Sequence, residues 1–139
     1  REKRALVYHV SASDHSLKEH AGVFAYAGTR PELAQQTFDM TVGEIRRLAD
    51  GIEPDEVTRA RTQLKSALIM QGESTSARAN ALASDFYHLA RVRSLRELSD
   101  AIDATKADDI LDHVRQHPAR DFTVLVIGPK PIDTGILEQ

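Results

Sequence analysis

Residues 1–10 read REKRALVYHV, a charged tetrad that runs directly into an alternating segment. The tetrad is rich in helix-forming residues, whereas residues 5–12 alternate between two faces as a half-buried strand does. The pattern predicts Leu6, Tyr8, Val10 and Ala12 on one face and Val7, His9 and Ser11 on the other. Arg1 and Tyr8 are seven positions apart, about 23 Å if fully extended, so only a helix end or turn between them would let their side chains converge.

The segments that follow predict a hairpin and a helix. The polar run from Ser13 to His20 predicts a long loop, and residues 22–28 (GVFAYAG) predict the partner strand. Thr29 and Glu32, with Pro31 between them, resemble a capping box that opens a helix. The apolar stripe of that helix is Phe38, Val42, Ile45 and Leu48, and Gly51 is expected to stop it.

Four more helices are expected in the middle of the chain. The first opens at Pro54, buries Val57, Ala60, Leu64, Ala67 and Leu68, and is broken by Gly72. The second is capped by the cluster Ser74–Ser76, and its apolar face is Ala79, Leu82, Phe86 and Leu89. The last two open at the capping boxes Ser94 with Glu97 and Thr105 with Asp108, and Pro118 ends the run.

The final apolar run predicts a third strand. Residues 122–127 (FTVLVI) are continuously apolar, which favours a central position covered on both faces. Strands gathered around a block of helices indicate an α+β fold, with a mixed or antiparallel sheet packed against several helices. Because only three strands are visible, the sheet is expected to lack members, as in a domain truncated at its N-terminus.

Composition excludes several functions. The 139 residues are 41% hydrophobic and 28% charged, as in a single globular domain. A net charge of −3 gives no basic stripe for nucleic acid, and no apolar run approaches the roughly 18 residues that would span a membrane. There are no cysteines, which excludes disulfides, cysteine nucleophiles and thiolate metal sites.

Candidate chemical motifs are sparse. His15, Glu19 and His20 resemble an inverted zinc motif, but its histidines must lie four residues apart on a helix and these lie five apart in a polar loop. No metal site is therefore predicted. There is no nucleophile elbow and no glycine-rich phosphate loop. The segment ESTSAR could be an anion site with Arg78, although helix capping explains its hydroxyl groups without a ligand.

Several segments, in order, resemble the zinc-free second half of the insulinase/pitrilysin metallopeptidases, including the mitochondrial processing peptidases and similar bacterial zinc proteases. These segments are REKRALVYHV, GVFAYAGTRPE, QLKSALIMQGESTSARANAL, DAIDATKADDI and DFTVLVIGP. The resemblance implies a C-terminal, non-catalytic half-domain over residues 1–129 that lacks its first strand and helix. Residues 130–139 would then be a tail or linker.

The resemblance also implies a role for the opening residues. In the family, an arginine and a tyrosine at the positions of Arg1 and Tyr8 contact the peptide substrate, while zinc lies on the upstream half or on a partner subunit. Arginine offers planar donors to peptide carbonyls, and a tyrosine hydroxyl can donate to a developing oxyanion. Without the resemblance, Arg1 would be an exposed helix-end residue and Tyr8 an ordinary strand residue.

The implied protein closes a proteolytic chamber around a peptide, as a homo- or heterodimer or as one chain with the zinc-bearing half. Its expected compartment is the bacterial periplasm or cell envelope, with the cytoplasm and the mitochondrion as alternatives. A second hypothesis is a structural or scaffolding subunit without peptidase activity, since some members of the family have lost the zinc motif.

Overall fold

The computed structural model describes residues 6–138 and divides them into two compact units, residues 6–50 with 114–138 and residues 51–113. Its elements are β1 (Val7–Ser16), β2 (Ala21–Thr29), α1 (Ala34–Arg47), α2 (Pro54–Glu73), α3 (Thr75–Leu89), α4 (Leu95–Ala104) and α5 (Ala107–Gln116). Short 3-10 helices cover Pro31–Leu33 and Gly135–Glu138. The predicted α+β class is confirmed.

In the first unit, β1 and β2 form a two-stranded antiparallel hairpin. Both strands are longer than predicted, and β1 runs on to Ser16, so the expected loop from Ser13 shrinks to residues 17–20. Leu17 closes it by donating its N–H to the carbonyl of His20 at 2.7 Å. The prediction of a long loop was wrong because ladder hydrogen bonds use backbone groups, so polar side chains on an exposed strand do not end the pairing.

The start of α1 also differs from its prediction. Thr29 ends β2 and does not cap the helix, and the chain makes the 3-10 turn Pro31–Leu33 before α1 begins. The predicted stripe of α1 is confirmed, since Val42 is 3% exposed and Phe38, Ile45 and Leu48 are half-buried. This stripe carries the core of the first unit.

The predicted third strand is not formed. Residues 122–127 have no strand assignment, and Leu125 and Ile127 are 83% and 92% exposed, so the expected covered central position was wrong. A strand is defined by ladder hydrogen bonds, and within residues 6–138 the ladder joins β1 only to β2. Val124 and Val126 are less exposed than their neighbours, which keeps the alternation that a strand would show.

The last described residues pack against α1. Gln35 donates its side-chain amide to the carbonyl of Asp133 at 2.9 Å and accepts the N–H of Asp133 at 2.7 Å. Arg46 donates to the carbonyls of Ile136 and Leu137 at 2.8 and 3.3 Å, and its guanidinium lies 5.8 Å from the ring of Phe122. Side chains of α1 thus hold this segment mainly through the backbone groups of the segment.

The helices of the second unit mostly begin where their caps predict. Ser94 and Glu97 form a reciprocal capping box at the start of α4, as expected. The box predicted at Thr105 and Asp108 was wrong. The Thr105 hydroxyl instead donates back to the carbonyl of Ala101, and α5 opens with the side chain of Asp109 accepting from the N–H of Lys106 at 2.8 Å.

The stop signals predicted at two glycines were imprecise. Helix α2 continues through Gly72 to Glu73, and α1 ends at Arg47, before Gly51. A glycine in a helix costs only about 1 kcal/mol relative to alanine, which a packed helix tolerates. The glycine signal therefore marks the region of each helix end without fixing the residue.

The predicted buried stripe of α2 was also wrong. Val57 and Leu68 are half-buried, whereas Ala60, Leu64 and Ala67 are exposed. The expected face of α3 is exposed too, with Phe86 at 66%. Periodicity identifies the side of a helix that can be covered, but the main contacts of α2 within the described residues are with α3 and α4.

Candidate functional site on the hairpin

Tyr8 is the predicted site residue that the structure describes, whereas Arg1 lies outside the described residues. Tyr8 is in β1 and is 66% exposed, so its hydroxyl is open to a ligand. It also stands at a break in the strand pairing. Val7 pairs with Thr29, but the next pair joins His9 to Gly28, which leaves Tyr8 as an extra residue in a β-bulge.

The bulge changes which side chains share a face. Residues directly opposite in an antiparallel pair lie on the same face, and β1 is in register with β2 from His9 to Ser16. The bulge therefore moves Val7 to the face of Val10 and Ala12, and not to that of His9. The predicted two-face pattern was therefore wrong at Val7, because simple alternation cannot include an inserted residue.

One face of the hairpin carries aromatic and polar side chains. The rings of His9 and Tyr26 lie 5.8 Å apart, and those of His15 and Phe24 lie 4.8 Å apart in an edge-to-face arrangement. The hydroxyl of Ser13 lies 3.4 Å from Nε2 of His15. The pairing puts all of these side chains on the face of His9, beside the bulge.

The histidine residues do not gather a metal site in the described part of the chain. His15 lies on β1, while Glu19 and His20 lie in the four-residue turn. Over residues 6–138, no group of three or more His, Asp or Glu side chains is arranged to hold a metal ion. The residues present do not fit zinc, so no catalytic step at a metal is assigned to them.

Two threonine hydroxyls lie beneath the bulge, and sequence reasoning missed this contact. Thr29 donates its hydroxyl to the carbonyl of Leu6, and Thr37 donates its own to the Thr29 hydroxyl at 3.2 Å. Thr37 is 5% exposed and lies on α1. Thr29 was interpreted as a helix cap, and nothing in its spacing from Thr37 reveals a contact between a strand and a helix.

In the second unit, the segment ESTSAR (residues 73–78) caps helix α3, as its sequence favoured over an anion site. The hydroxyl of Ser74 accepts the N–H of Ala77 at 3.3 Å at the start of α3. This accounts for the hydroxyl cluster without a bound anion.

A largely buried carboxylate of that unit, Asp85, forms an ion pair with Arg93. Arg93 donates through its guanidinium at 2.6 Å and through its backbone N–H at 2.9 Å, and the Asp85 side chain is 12% exposed. The hydrogen bond from the Arg93 side chain lowers the pKa of Asp85, and the reverse contact raises the pKa of Arg93. The pair spans the turn at Ala90, which has φ 54°, so its role is to fix the connection between α3 and α4.

Known proteins resemble this chain in both sequence and fold. Residues 1–64 match the family model described as the Peptidase M16 inactive domain. An uncharacterized zinc protease of Rickettsia felis is 28% identical over 133 residues, which is 95% of this chain and 32% of that protein. The mitochondrial-processing peptidase subunit alpha of Caenorhabditis elegans is 40% identical over 68 residues, which is 48% of this chain and 13% of that protein.

Solved structures give the same picture. The periplasmic protease PqqL from Escherichia coli aligns with a TM-score of 0.59 at 18% identity, over 84% of this chain and 13% of that one, which shows a shared fold. A chain of complex III2 from Candida albicans aligns with a TM-score of 0.69 at 25% identity, over 77% of this chain and 26% of that one.

These findings show that the chain shares its α+β fold with the periplasmic protease PqqL and with a chain of complex III2. The predicted resemblance to the zinc-free half of the insulinase/pitrilysin type is confirmed, since residues 1–64 match the inactive domain of Peptidase M16 and relatives over most of the chain are named as zinc proteases. The chain spans about a third of the length of the curated bacterial relatives that it matches. Within the described residues, no helix is long and apolar enough to cross a membrane.

Proposed function

We propose that this chain is the non-catalytic half of a zinc metalloendopeptidase, which closes the proteolytic chamber and holds the substrate with Arg1 and Tyr8. The zinc would be supplied by another half of the same chain or by a partner subunit. The observation that carries the proposal is the match of residues 1–64 to the inactive domain, a segment that contains both residues.

The geometry of Tyr8 supports a role in peptide binding. A solvent-accessible phenol can donate to a peptide carbonyl or to an oxyanion that develops on it. The bulge makes Tyr8 the extra residue of β1, and bulges often occur beside active sites, where they redirect a side chain. Arg1 would add planar donors that suit a peptide backbone.

Exposed apolar surface supports a larger assembly. Leu125 and Ile127 are almost fully exposed, and the hairpin has no third strand within residues 6–138. Isolated apolar runs of this kind normally pair or are covered. We therefore propose that residues 1–129 are a half-domain completed by a further strand and helix, with residues 130–139 as its tail. The whole would pair with the zinc-bearing half within a chain or as a homo- or heterodimer.

The compartment is part of the same proposal. The likeness to the periplasmic protease PqqL supports the bacterial periplasm or cell envelope. The likeness to a mitochondrial-processing peptidase subunit supports the mitochondrion as the alternative.

The test compares Tyr8→Phe with Tyr26→Phe in the full-length protein, assayed by hydrolysis of an unstructured peptide. Tyr26 is a matched control because it lies on the same hairpin and is similarly exposed. Removing one donor to an oxyanion should lower kcat on the order of a hundredfold in Tyr8→Phe, and Arg1→Ala should also slow hydrolysis. If Tyr8→Phe and Tyr26→Phe both hydrolyse the peptide with the wild-type kcat, the proposed role of Tyr8 is overturned.

A structural subunit is the second candidate, and the likeness to a chain of complex III2 favours it. In that case the full-length protein would contain no zinc and hydrolyse no peptide. Zinc-dependent hydrolysis by the wild-type protein would exclude it.

A further inference from the structure

The bulge at Tyr8 is held in place by the two threonine hydroxyls beneath it. We propose that Thr29 and Thr37 are positioning residues for Tyr8, because together they fix the residues that enter the bulge and so the direction of its side chain. The inference rests on the proposed function only for the claim that Tyr8 contacts substrate. The claim that the two threonines fix the bulge rests only on their hydrogen bonds.

The contacts form a directed relay. A hydroxyl has one hydrogen to donate, and the hydrogen of Thr29 goes to the carbonyl of Leu6, two residues before Tyr8. The oxygen of Thr29 is then free to accept, and Thr37 donates to it from α1. The relay therefore connects the buried side of the helix to the backbone that enters β1.

The relay holds the upstream side of the bulge, where Thr29 acts twice. Its backbone pairs with Val7 in the ladder, and its side chain binds Leu6. On the downstream side, His9 pairs with Gly28, and its ring lies against Tyr26. An inserted residue can shift by one position along a strand unless both sides are anchored, and a one-residue slip turns a side chain to the opposite face.

Loss of the upstream anchor should therefore free the bulge to move. If the extra residue became Val7, Tyr8 would take the place opposite Thr29, and its hydroxyl would then alternate between two directions. An exposed tyrosine that samples two directions presents its donor to a bound peptide for only part of the time.

The chain offers a matched set of variants. Thr29→Val and Thr37→Val remove the two hydroxyls while keeping the β-branched shape. Thr41→Val is the control, because Thr41 is also on α1 but its hydroxyl donates only to the helix carbonyl of Thr37. Thr29→Ser keeps the hydroxyl and should restore the wild-type behaviour.

The direct readout is ¹⁹F NMR of fluorotyrosine placed at position 8 of the full-length protein. We expect a shifted or broadened signal in Thr29→Val and Thr37→Val, and the wild-type signal in Thr41→Val and Thr29→Ser. A Tyr8 signal in both Val variants that matches wild type would overturn the inference. If Thr29→Val does not fold, Thr37→Val decides by the same signal.

Peptide hydrolysis separates this inference from the proposed function. Loss of one hydrogen bond that orients Tyr8 should lower kcat about fivefold in Thr29→Val, with recovery in Thr29→Ser and little change in KM. If Tyr8→Phe hydrolyses at the wild-type rate, the proposed function fails, and the ¹⁹F comparison still decides whether the threonines position Tyr8.

Discussion

The substitution Val42→Ala tests whether the apolar face of α1 forms the core of the first unit. Val42 is 3% exposed on α1, and it is the single buried hydrophobic residue among residues 6–138. The change deletes two carbon atoms, worth about 0.8 kcal/mol each in transfer from water. A residual cavity of about 40 Å³ would add about 1 kcal/mol. The expected loss in the free energy of unfolding is therefore about 2.5 kcal/mol.

The neighbouring residue provides a control of opposite sign. Gly43 is an exposed residue of α1, and a Cβ added there meets no atom within 4 Å. Gly43→Ala should raise the free energy of unfolding by about 0.5 to 1 kcal/mol, because alanine restricts the unfolded chain and favours the helix. Urea unfolding of the full chain followed by far-ultraviolet circular dichroism measures both. A change below about 0.5 kcal/mol in Val42→Ala would refute the claim that this helix face carries the core.

Three further changes test the contacts around this core and in the second unit. The lowered pKa of Asp85 means that its ion pair stabilises the fold above about pH 4 and loses that contribution as the pH falls through the lowered value. Asp85→Asn should thus be less stable than wild type at pH 7 in urea unfolding, and the difference should shrink below about pH 4; a constant difference would contradict this. Ala90→Gly should relieve about 1 kcal/mol of backbone strain at φ 54° and so raise the melting temperature, and a lower melting temperature would refute this. Gln35→Ala, but not the exposed neighbour Gln36→Ala, should speed amide hydrogen exchange over residues 131–138, and equal exchange in the two variants would count against docking of that segment on α1.

Local signals in the sequence predicted the helices well where the cap is made by neighbours in the chain. Ser94 and Glu97 are three residues apart, and the side chain of each accepts the backbone N–H of the other. Their capping box is therefore visible in the sequence. Thr29 and Thr105 are also hydroxyl residues followed by an acidic residue three positions later. Their hydroxyls instead donate to backbone carbonyls, that of Leu6 for Thr29 and that of Ala101 for Thr105. Propensity and spacing do not encode that choice, because it depends on which backbone carbonyl lies closest in the folded chain.

The candidate site was predictable only through the resemblance. Tyr8 could be selected from its motif, but the bulge that makes it an extra residue depends on the pairing with β2, and alternation alone concealed it. The same limit applies to burial. The stripe of α1 is covered because β2 and the last residues pack near it, whereas the equally periodic stripe of α2 stays largely exposed.

Zinc content decides whether this chain is the half without the metal. Zinc would be measured in the full-length protein and in residues 1–139 alone, each after dialysis against a chelator and reloading with zinc. We expect stoichiometric zinc and zinc-dependent peptide hydrolysis in the assembled protein, and neither in residues 1–139. One tightly bound zinc per chain of residues 1–139 would contradict this expectation.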